Sequence, residues 1–539
     1  MSGKAPDLLY PKNYRKQRET VLPQAAVQNL KLEYIAGALC PHHTEYALKI
    51  LSQLNTDPAV ISYRQDVLED FINVPELEGV LFKSLHIIYN NAKSVYARVG
   101  STQSFFEINE NLEHLGAFIE CMEICHGFYE KCYDRLKSEG VRGVATALED
   151  KYNSDDYKDT VKEVAELKRV MGNGIKSATF GINFDELMRP SEVALLSVGT
   201  EQFREKGLFE RLFSKENVVE PVSNIYARKT KDGALSDINQ RLFAEIDALS
   251  GDYLRHFNTS MKSYFDTNID FLLKLEPQIN FYIGAANLIS RMRQMKLPVC
   301  RPMIKDRDSR TFTVKDMYDI AFANKMYRDV YGSGRVSANI TVNDCVLDDS
   351  ARILILTGPN NGGKTTFTRA AGINLVLAQC GLCVAGSSAE ISPADNVFVH
   401  FPKEEEMGVN ASRFTEECKE FADTVKQADD SCMVLMNESL SSTTPGENLV
   451  IAEELMKIFA DMGVRLIYTT HIREIAMKKD EINSEEPASR MDSIVAECDE
   501  NGHPTYRIVR KMPDDRRNAR DIFDRFGISY REYLKNKKK

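Results

Sequence analysis

The sequence has no apolar run long enough to cross a membrane. Its most apolar stretch, Ile373 to Ala385, is short and carries Asn374 and Gln379. Nor does an apolar signal core follow Met1, so the chain is expected to be cytoplasmic, with no membrane partner. A disulfide framework is missing as well: the 11 cysteines are odd in number, scattered from Cys40 to Cys498 through apolar segments, and read as reduced, buried thiols. Cys380 and Cys383 form a CxxC, and Cys121, Cys125 and Cys132 lie close together. Neither group has the second pair that would complete a zinc site. A basic excess is also absent. The net charge of -10 excludes a uniformly basic nucleic-acid coat while leaving room for a local basic surface. There is no internal repeat, and low complexity is confined to Lys535, Lys537, Lys538 and Lys539, read as a solvated end.

What is present is the material of a soluble globular protein: 539 residues, 43% hydrophobic and 27% charged. That length suggests about three or four folding units. From about residue 25 to about 330 the pattern is mainly helical. Ile61, Arg64, Leu68, Phe71 and Ile72 fall at three and four spacing, as do Leu112, Leu115, Phe118 and Ile119. Between about Asn173 and Phe203 the residues become rich in β-formers, with Pro190 at a break between two candidate strands, which reads as an insertion in the helical region. The basic residues Lys168, Arg169 and Lys176, and later Arg228, Lys229 and Lys231, read first as solvated charge and second as phosphate contacts.

Beyond about residue 330, short apolar strands alternate with helices, the signature of a parallel α/β sheet. Strands are predicted at Ile353 to Leu356, Val397 to Phe401, Cys432 to Met436 and Val464 to Thr469. Helices are predicted at Lys364 to Gln379, Arg413 to Lys426 and Asn448 to Asp461; in the second, Phe414, Cys418, Phe421, Ala422 and Val425 form an apolar stripe.

The first of these strands runs directly into Gly358-Pro359-Asn360-Asn361-Gly362-Gly363-Lys364-Thr365, followed by Thr366, and this fits GxxxxGK[ST] without adjustment. The glycines let backbone N–H groups turn toward phosphates, and the helix behind them adds its positive end. Lys364 suits the β and γ phosphates, and the Thr365 hydroxyl suits magnesium. ATP with Mg2+ is therefore the expected cofactor pair. A strand ending in acid should follow, and "CMVLMNESL" ends in Asn437-Glu438. Glu438 is the candidate to orient or deprotonate water. Asn437 stands where most phosphate-loop ATPases have Asp; it brings no negative charge to the metal shell, so weak magnesium binding or slow hydrolysis to ADP and phosphate is expected. His471 closes the strand "VRLIYTTH", where it could sense the γ-phosphate.

Taken together these residues resemble the MutS family. "TGPNNGGKTTFTRAAGINLVLAQCGLCVAG" is similar to that family's phosphate loop and following helix, including Arg369, Gln379, Gly381 and Val384-Ala385. Ser412, Phe414 and Glu417 match its STF-x-x-E segment, with Arg413 in place of threonine, and Asn343 and the TTH ending in His471 fall at the family's spacing. The match is specific over about residues 335 to 530. From about 25 to 330 it rests on helical texture and on "ISYRQDVLEDFINVPEL", similar to a lever-core segment.

The resemblance implies an α/β P-loop NTPase domain of the ABC type at 331–539, preceded by a helical lever region at 1–330 with a clamp-like β-containing insertion at 173–230. It implies a homodimeric, ATP-gated clamp in which Ser412 acts in trans on the partner's nucleotide, and DNA as a non-sequence-specific partner. Three departures accompany it. Leu440-Ser441-Ser442-Thr443 replaces the usual Gly-Arg-Gly-Thr, Ile340 occupies a position often aromatic for adenine stacking, and neither a mismatch-reading domain before the levers nor a nuclease-like C-terminal extension is recognised. The Phe-x-Glu at Phe105 to Glu107 lies in a helical stretch and reads as coincidence. Three functions stay open on the residues: a DNA-associated ATPase for mismatched, branched or deformed DNA, a clamp acting on ribosomes or another ribonucleoprotein, and a nucleotide-gated interaction protein with very slow turnover.

Overall fold

The computed structural model describes residues 6–12, 14, 20–82, 84, 105–171, 177–188, 190–199, 270–331, 340–402, 410–440, 444–513, 530 and 533–534. Lys176, Arg228, Lys229, Lys231, Ser441, Ser442, Thr443 and the lysine tail, all singled out above, lie outside them. Among the described residues the helices are α1 (Gln24–Asn29), α2 (Leu32–Leu39), α3 (Thr44–Ser52), α4 (Pro58–Asn73), α5 (Phe105–Cys132), α6 (Glu139–Asn153) and α7 (Asp155–Met171), followed by α8 (Asp270–Gln294), α9 (Ile320–Tyr331), α10 (Lys364–Gln379), α11 (Asn410–Gln427), α12 (Pro445–Met462), α13 (Arg473–Met477) and α14 (Lys479–Ser484). The strands are β1 (Thr20–Val21), β2 (Gln53–Leu54), β3 (Ser177–Phe184), β4 (Pro190–Gly199), β5 (Val299–Cys300), β6 (Met303–Ile304), β7 (Phe312–Met317) and β8 (Asn343–Leu347). After these come β9 (Ile353–Thr357), β10 (Val384–Ala385), β11 (Ser388–Ile391), β12 (Val397–His400), β13 (Met433–Asn437), β14 (Arg465–Thr469), β15 (Met491–Cys498) and β16 (Pro504–Arg510).

Two compact units interleave along the chain. One gathers Met1–Pro6, Pro75–Leu136 and Arg142–Glu276; the other gathers Asp7–Val74, Lys137–Val141 and Pro277–Lys539. In the first, α5, α6 and α7 bury Leu115, Phe118, Val144, Leu148, Tyr157 and Val164. The Phe118 and Tyr157 rings meet edge to face at 6.3 Å, and His126 stacks on Tyr152 at 4.1 Å. The insertion seen in the sequence is an antiparallel hairpin of β3 and β4. Pro190 opens its second strand, a place where the missing N–H costs no ladder bond. No helix among the described residues is long and apolar enough to cross a membrane.

The second unit is built on a six-stranded sheet of order β12-β13-β14-β9-β15-β16, parallel except for the last pair. Every residue of β9, β13 and β14 is buried, as expected where helices cover both faces of a parallel sheet and remove the alternation of exposed strands. A four-stranded sheet, β6-β11-β7-β8, lies in the same unit. The predicted strands and helices of this region fall within a few residues of those observed.

Helix α10 shows how local chemistry sets bounds. It begins after Gly363, whose φ of 86° is open to glycine at little cost, and it ends at Gly381, φ 77°. There the Leu382 N–H bonds the Leu377 carbonyl at 2.9 Å and the Gly381 N–H bonds the Ala378 carbonyl at 3.0 Å, a Schellman cap. Gly381 is doubly constrained, because a Cβ on it would lie 2.2 Å from Arg64 Cβ. Contacts with other segments of the same unit continue along α10. The Arg369 Nε donates to the Asn29 carbonyl at 3.0 Å, and Arg369 faces the buried Asp319 at 3.7 Å. Gln379 Nε2 donates to the Asn55 carbonyl at 3.1 Å. Burial raises the Asp319 pKa, with Arg369 opposing that shift.

The apolar stripe expected on α11 is corrected at two positions. Cys418 and Ala422 are exposed, while Phe421 and Thr424 are buried and Phe414, Glu417 and Val425 are partly buried. The buried face is rotated toward two polar residues whose hydrogen bonds are satisfied, so burying them costs little. Glu417 accepts from the Leu440 N–H at 2.8 Å. Thr424 bonds His400 Nε2 at 2.9 Å and gives its own hydroxyl hydrogen to the Glu420 carbonyl. Not every thiol is buried: besides Cys418, Cys300, Cys383 and Cys498 are partly exposed, and none of the eleven is joined in a disulfide. Among the described residues no group of His, Cys, Asp and Glu could hold a metal ion.

Candidate functional site

The parallel strands deliver their C-terminal ends to one edge of the sheet, and the predicted site residues collect there. Leaving β9, the chain turns at Gly358, φ 138°, where a Cβ would come within 2.8 Å of the Ala496 carbonyl oxygen. Only glycine fits that approach. Pro359, Asn360, Asn361 (φ 60°), Gly362 and Gly363 complete the loop, and α10 begins with Lys364, Thr365 and Thr366. The Lys364 Nζ donates to the carbonyls of Gly358 at 3.1 Å and Pro359 at 2.9 Å, which places the ammonium over the loop's own concavity. Burial lowers its pKa, and the nearby Glu438 carboxylate works in the opposite direction.

On the next strand but one, β13 carries Asn437 to the same edge. The Thr365 hydroxyl donates to Asn437 Oδ1 at 3.0 Å. Two oxygens suited to a cation thus stand together at the start of α10. Neither is charged, so a divalent ion would find the geometry but not the field of a carboxylate. The residues fit Mg2+ in donor type.

Glu438 follows in a left-handed conformation, φ 51°, and Leu440 in another, φ 65°. Such backbone costs a non-glycine residue about 1–2 kcal/mol and persists where surroundings impose it. They do so here. The Glu438 N–H is held by the Thr469 carbonyl of β14 at 2.8 Å, the Ser439 hydroxyl donates to the His400 carbonyl of β12 at 3.0 Å, and Leu440 is fully buried. In this turn Glu438 Oε1 meets His471 Nε2 at 2.8 Å, with both side chains about two-fifths exposed, at 35% and 46%. The loop, Lys364, Thr365, Asn437, Glu438 and His471 are therefore gathered at one edge.

Asn343 and Ile340 lie at and just before the start of β8. Asn343, at the start of β8, is engaged with β16: its Nδ2 donates to the Tyr506 carbonyl at 3.0 Å and its Oδ1 accepts from the Ile508 N–H at 2.7 Å. Ile340 is half-buried just before that strand. Ser412 lies in the first turn of α11, and its side chain is outside the described atoms. Tyr506 was not singled out from the sequence, where it is one aromatic in an ordinary strand. Pro504 pairs with Cys498 and Ile508 with Ala496, so Thr505 to Arg507 bulge opposite Glu497 alone. At the crest Tyr506 has φ 60° and is 52% exposed, with its ring edge 3.5 Å from where a Cβ on Gly363 would be. Asn343 ties both sides of this bulge, holding an aromatic face beside the phosphate loop.

A buried parallel sheet, a glycine-rich loop opening a helix, and a Thr–Asn pair and a Glu–His pair converging on that loop define the class: a phosphate-loop nucleotide-site domain with an adjoining helical region. Comparison with known proteins narrows the class. Residues 56–295 match the model of the MutS2 N-terminal domain, and residues 354–514 match that of MutS domain V. The chain belongs to the MutS family. Its curated relatives include an Endonuclease MutS2 of Thermomicrobium roseum, 31% identical over 189 residues, covering 34% of this chain and 23% of the relative. A DNA mismatch repair protein MutS of Psychrobacter cryohalolentis is 30% identical over 158 residues, 29% of this chain and 15% of the relative. An Endonuclease MutS2 of Thermus thermophilus is 28% identical over 174 residues, 32% and 22%. The matched segment spans less than a quarter of each of these relatives.

Proposed function

We propose that this chain binds ATP at the Gly358–Thr366 loop and hydrolyses it slowly to ADP and phosphate, acting as a DNA-associated ATPase. The observation that carries the reading is the convergence of Lys364, the Thr365–Asn437 pair and the Glu438–His471 pair on one loop. Lys364 exchanges its loop carbonyls for β and γ phosphate oxygens. Glu438 orients a water and takes its proton as the water oxygen bonds to the γ-phosphorus, while the bond from that phosphorus to the bridging oxygen breaks and ADP leaves. His471 holds the Glu438 carboxylate and can report the γ-phosphate. Tyr506 offers a face for the base, and Asn343 acts by fixing Tyr506. A magnesium ion, held by the Thr365 hydroxyl and Asn437 Oδ1, would neutralise phosphate charge. The neutral Asn437 favours slow turnover over fast.

The finer organisation belongs to the same proposal: a helical lever region at 1–330 with the clamp-like insertion at 173–230, an ATPase domain of the ABC type at 331–539, and a dimer in which Ser412 reaches the partner's nucleotide. DNA is the proposed partner class, and the name of the Psychrobacter relative supports it. Magnesium-dependent ATP hydrolysis, measured for the wild type and for Lys364→Ala and Glu438→Ala, tests the reading. Nucleotide binding should be lost with Lys364→Ala. With Glu438→Ala, binding should persist and turnover fall by about a hundredfold or more. A wild type that binds ATP without hydrolysing it would leave a nucleotide-gated switch instead.

A further inference from the structure

Three consecutive residues after β13 are each tied to a different element. Glu438 is held by β14 and Ser439 by β12, in both cases through main-chain carbonyls that belong to the sheet. Leu440 is held by α11, through the Glu417 carboxylate, which accepts its N–H at 2.8 Å. Of the three acceptors Glu417 is the one side chain, and it sits on a helix rather than in the sheet. It also closes a turn in which two of three residues, Glu438 at φ 51° and Leu440 at φ 65°, adopt a conformation that non-glycine residues rarely enter. Such a turn keeps its shape only as long as its partners do. The same helix is anchored a further two turns along by Thr424 on His400, in the strand whose last carbonyl receives Ser439.

From this we infer that Glu417 is a positioning residue for hydrolysis. Its carboxylate fixes the left-handed turn that aims Glu438 at the phosphate loop, and it joins that turn to the helix whose first turn carries Ser412. The inference rests on the proposed ATPase reading. It makes α11 a two-ended element: displacement of its first turn by a partner would pull, through Glu417, on the carboxylate that serves this chain's own nucleotide. Nucleotide affinity should depend little on Glu417, since its bond is to the turn after β13, whereas Lys364 opens α10 and the loop amides lie between β9 and α10.

The experiment compares wild type, Glu417→Ala and Glu417→Gln in full-length protein. It reads kcat by phosphate release, KM from the ATP dependence, affinity for a fluorescent non-hydrolysable ATP analogue, and hydrogen–deuterium exchange of the segment from Met433 to Leu440. Glu417→Ala should lower kcat about ten- to a hundredfold, leave KM and analogue affinity within about twofold, and speed exchange at Leu440. Glu417→Gln keeps an acceptor oxygen and should restore most of kcat. If Glu417→Ala leaves kcat and exchange at Leu440 unchanged, or if kcat and analogue affinity fall together, the positioning role is wrong. Should Glu417→Ala not fold, Glu417→Met, which keeps the side-chain length without an oxygen acceptor, takes its place: faster exchange at Leu440 with kcat lowered and analogue affinity kept supports the role, and wild-type kcat and exchange overturn it. Failure of the parent reading is distinct, since it shows in the wild type as absence of magnesium-dependent hydrolysis.

Discussion

Asn437 concentrates what is unusual about this site in one atom substitution. Its Oδ1 accepts from Thr365 at 3.0 Å, as a carboxylate oxygen would, but its other arm is an amide that brings no charge. Replacing it with aspartate keeps the acceptor and adds the charge. Hydrogen bonds and contacts to a charged group exceed neutral ones by about 1–2 kcal/mol, and about 1.4 kcal/mol is tenfold. Asn437→Asp should therefore lower the magnesium concentration for half-maximal ATPase activity by about tenfold. A magnesium titration of both proteins checks this, and an unchanged midpoint would mean that Asn437 does not face the cation. Residues of this kind were legible without coordinates, because a phosphate loop, a strand end and a histidine are all recognised over a few positions. Tyr506 was not, since its exposure follows from a bulge paired across β15 and from Asn343, more than a hundred and fifty positions away.

Elements make their own demands. His400 closes β12, buried, stacked on Phe421 at 4.3 Å. Because Thr424 spends its hydrogen on Glu420, the His400 Nε2–H is the donor in their bond, which fits a neutral ring. Burial lowers its pKa from 6.5 to about 4. With the folded value depressed, the unfolded chain takes up a proton first as pH falls. Stability is therefore full above about 6.5 and declines toward about 4, by roughly 1.4 kcal/mol per pH unit. Urea unfolding of wild type and His400→Gln at pH 7 and pH 5 should show a smaller loss in the variant; equal losses would remove His400 as the cause. A second demand lies where α8 crosses α2. A Cβ on Gly284 would fall 1.8 Å from the Leu39 carbonyl oxygen, so Gly284→Ala must push the two helices apart. A cost of roughly 1–3 kcal/mol, read as a lower urea midpoint, is expected. The helical texture from about residue 25 to about 330 is legible in the sequence, but a residue without a side chain leaves no mark in an apolar pattern. The same limit explains α11, where two satisfied polar residues took a place expected for Cys418 and Ala422.

For the whole molecule the proposed partner is DNA, and the net charge of -10 makes that a question of local surface rather than of total charge. Binding through phosphates releases counterions, so affinity should fall linearly on a logarithmic salt scale, by at least about tenfold between roughly 50 and 200 mM. Gel shifts with duplex, mismatched and junction DNA, with and without ATP, measure this; no binding at low salt to any of them would sink DNA as the partner and turn attention to ribonucleoproteins. By itself the sequence determined the nucleotide loop, the alternation of strand and helix after about residue 330, the helical texture before it, and the neutral Asn437 beside Glu438. Each of these is written in neighbouring residues, through the turn preferences of glycine and the periods of helix and strand. Only the tertiary structure decided that residues 7–74 share a unit with the sheet, that Asn343 serves β16, that Tyr506 stands by the loop, and that Glu417 holds the turn of Glu438. Those pairings join positions far apart in the chain. Local spacing is silent about such pairings, because they form only when the sheet brings distant strand ends together.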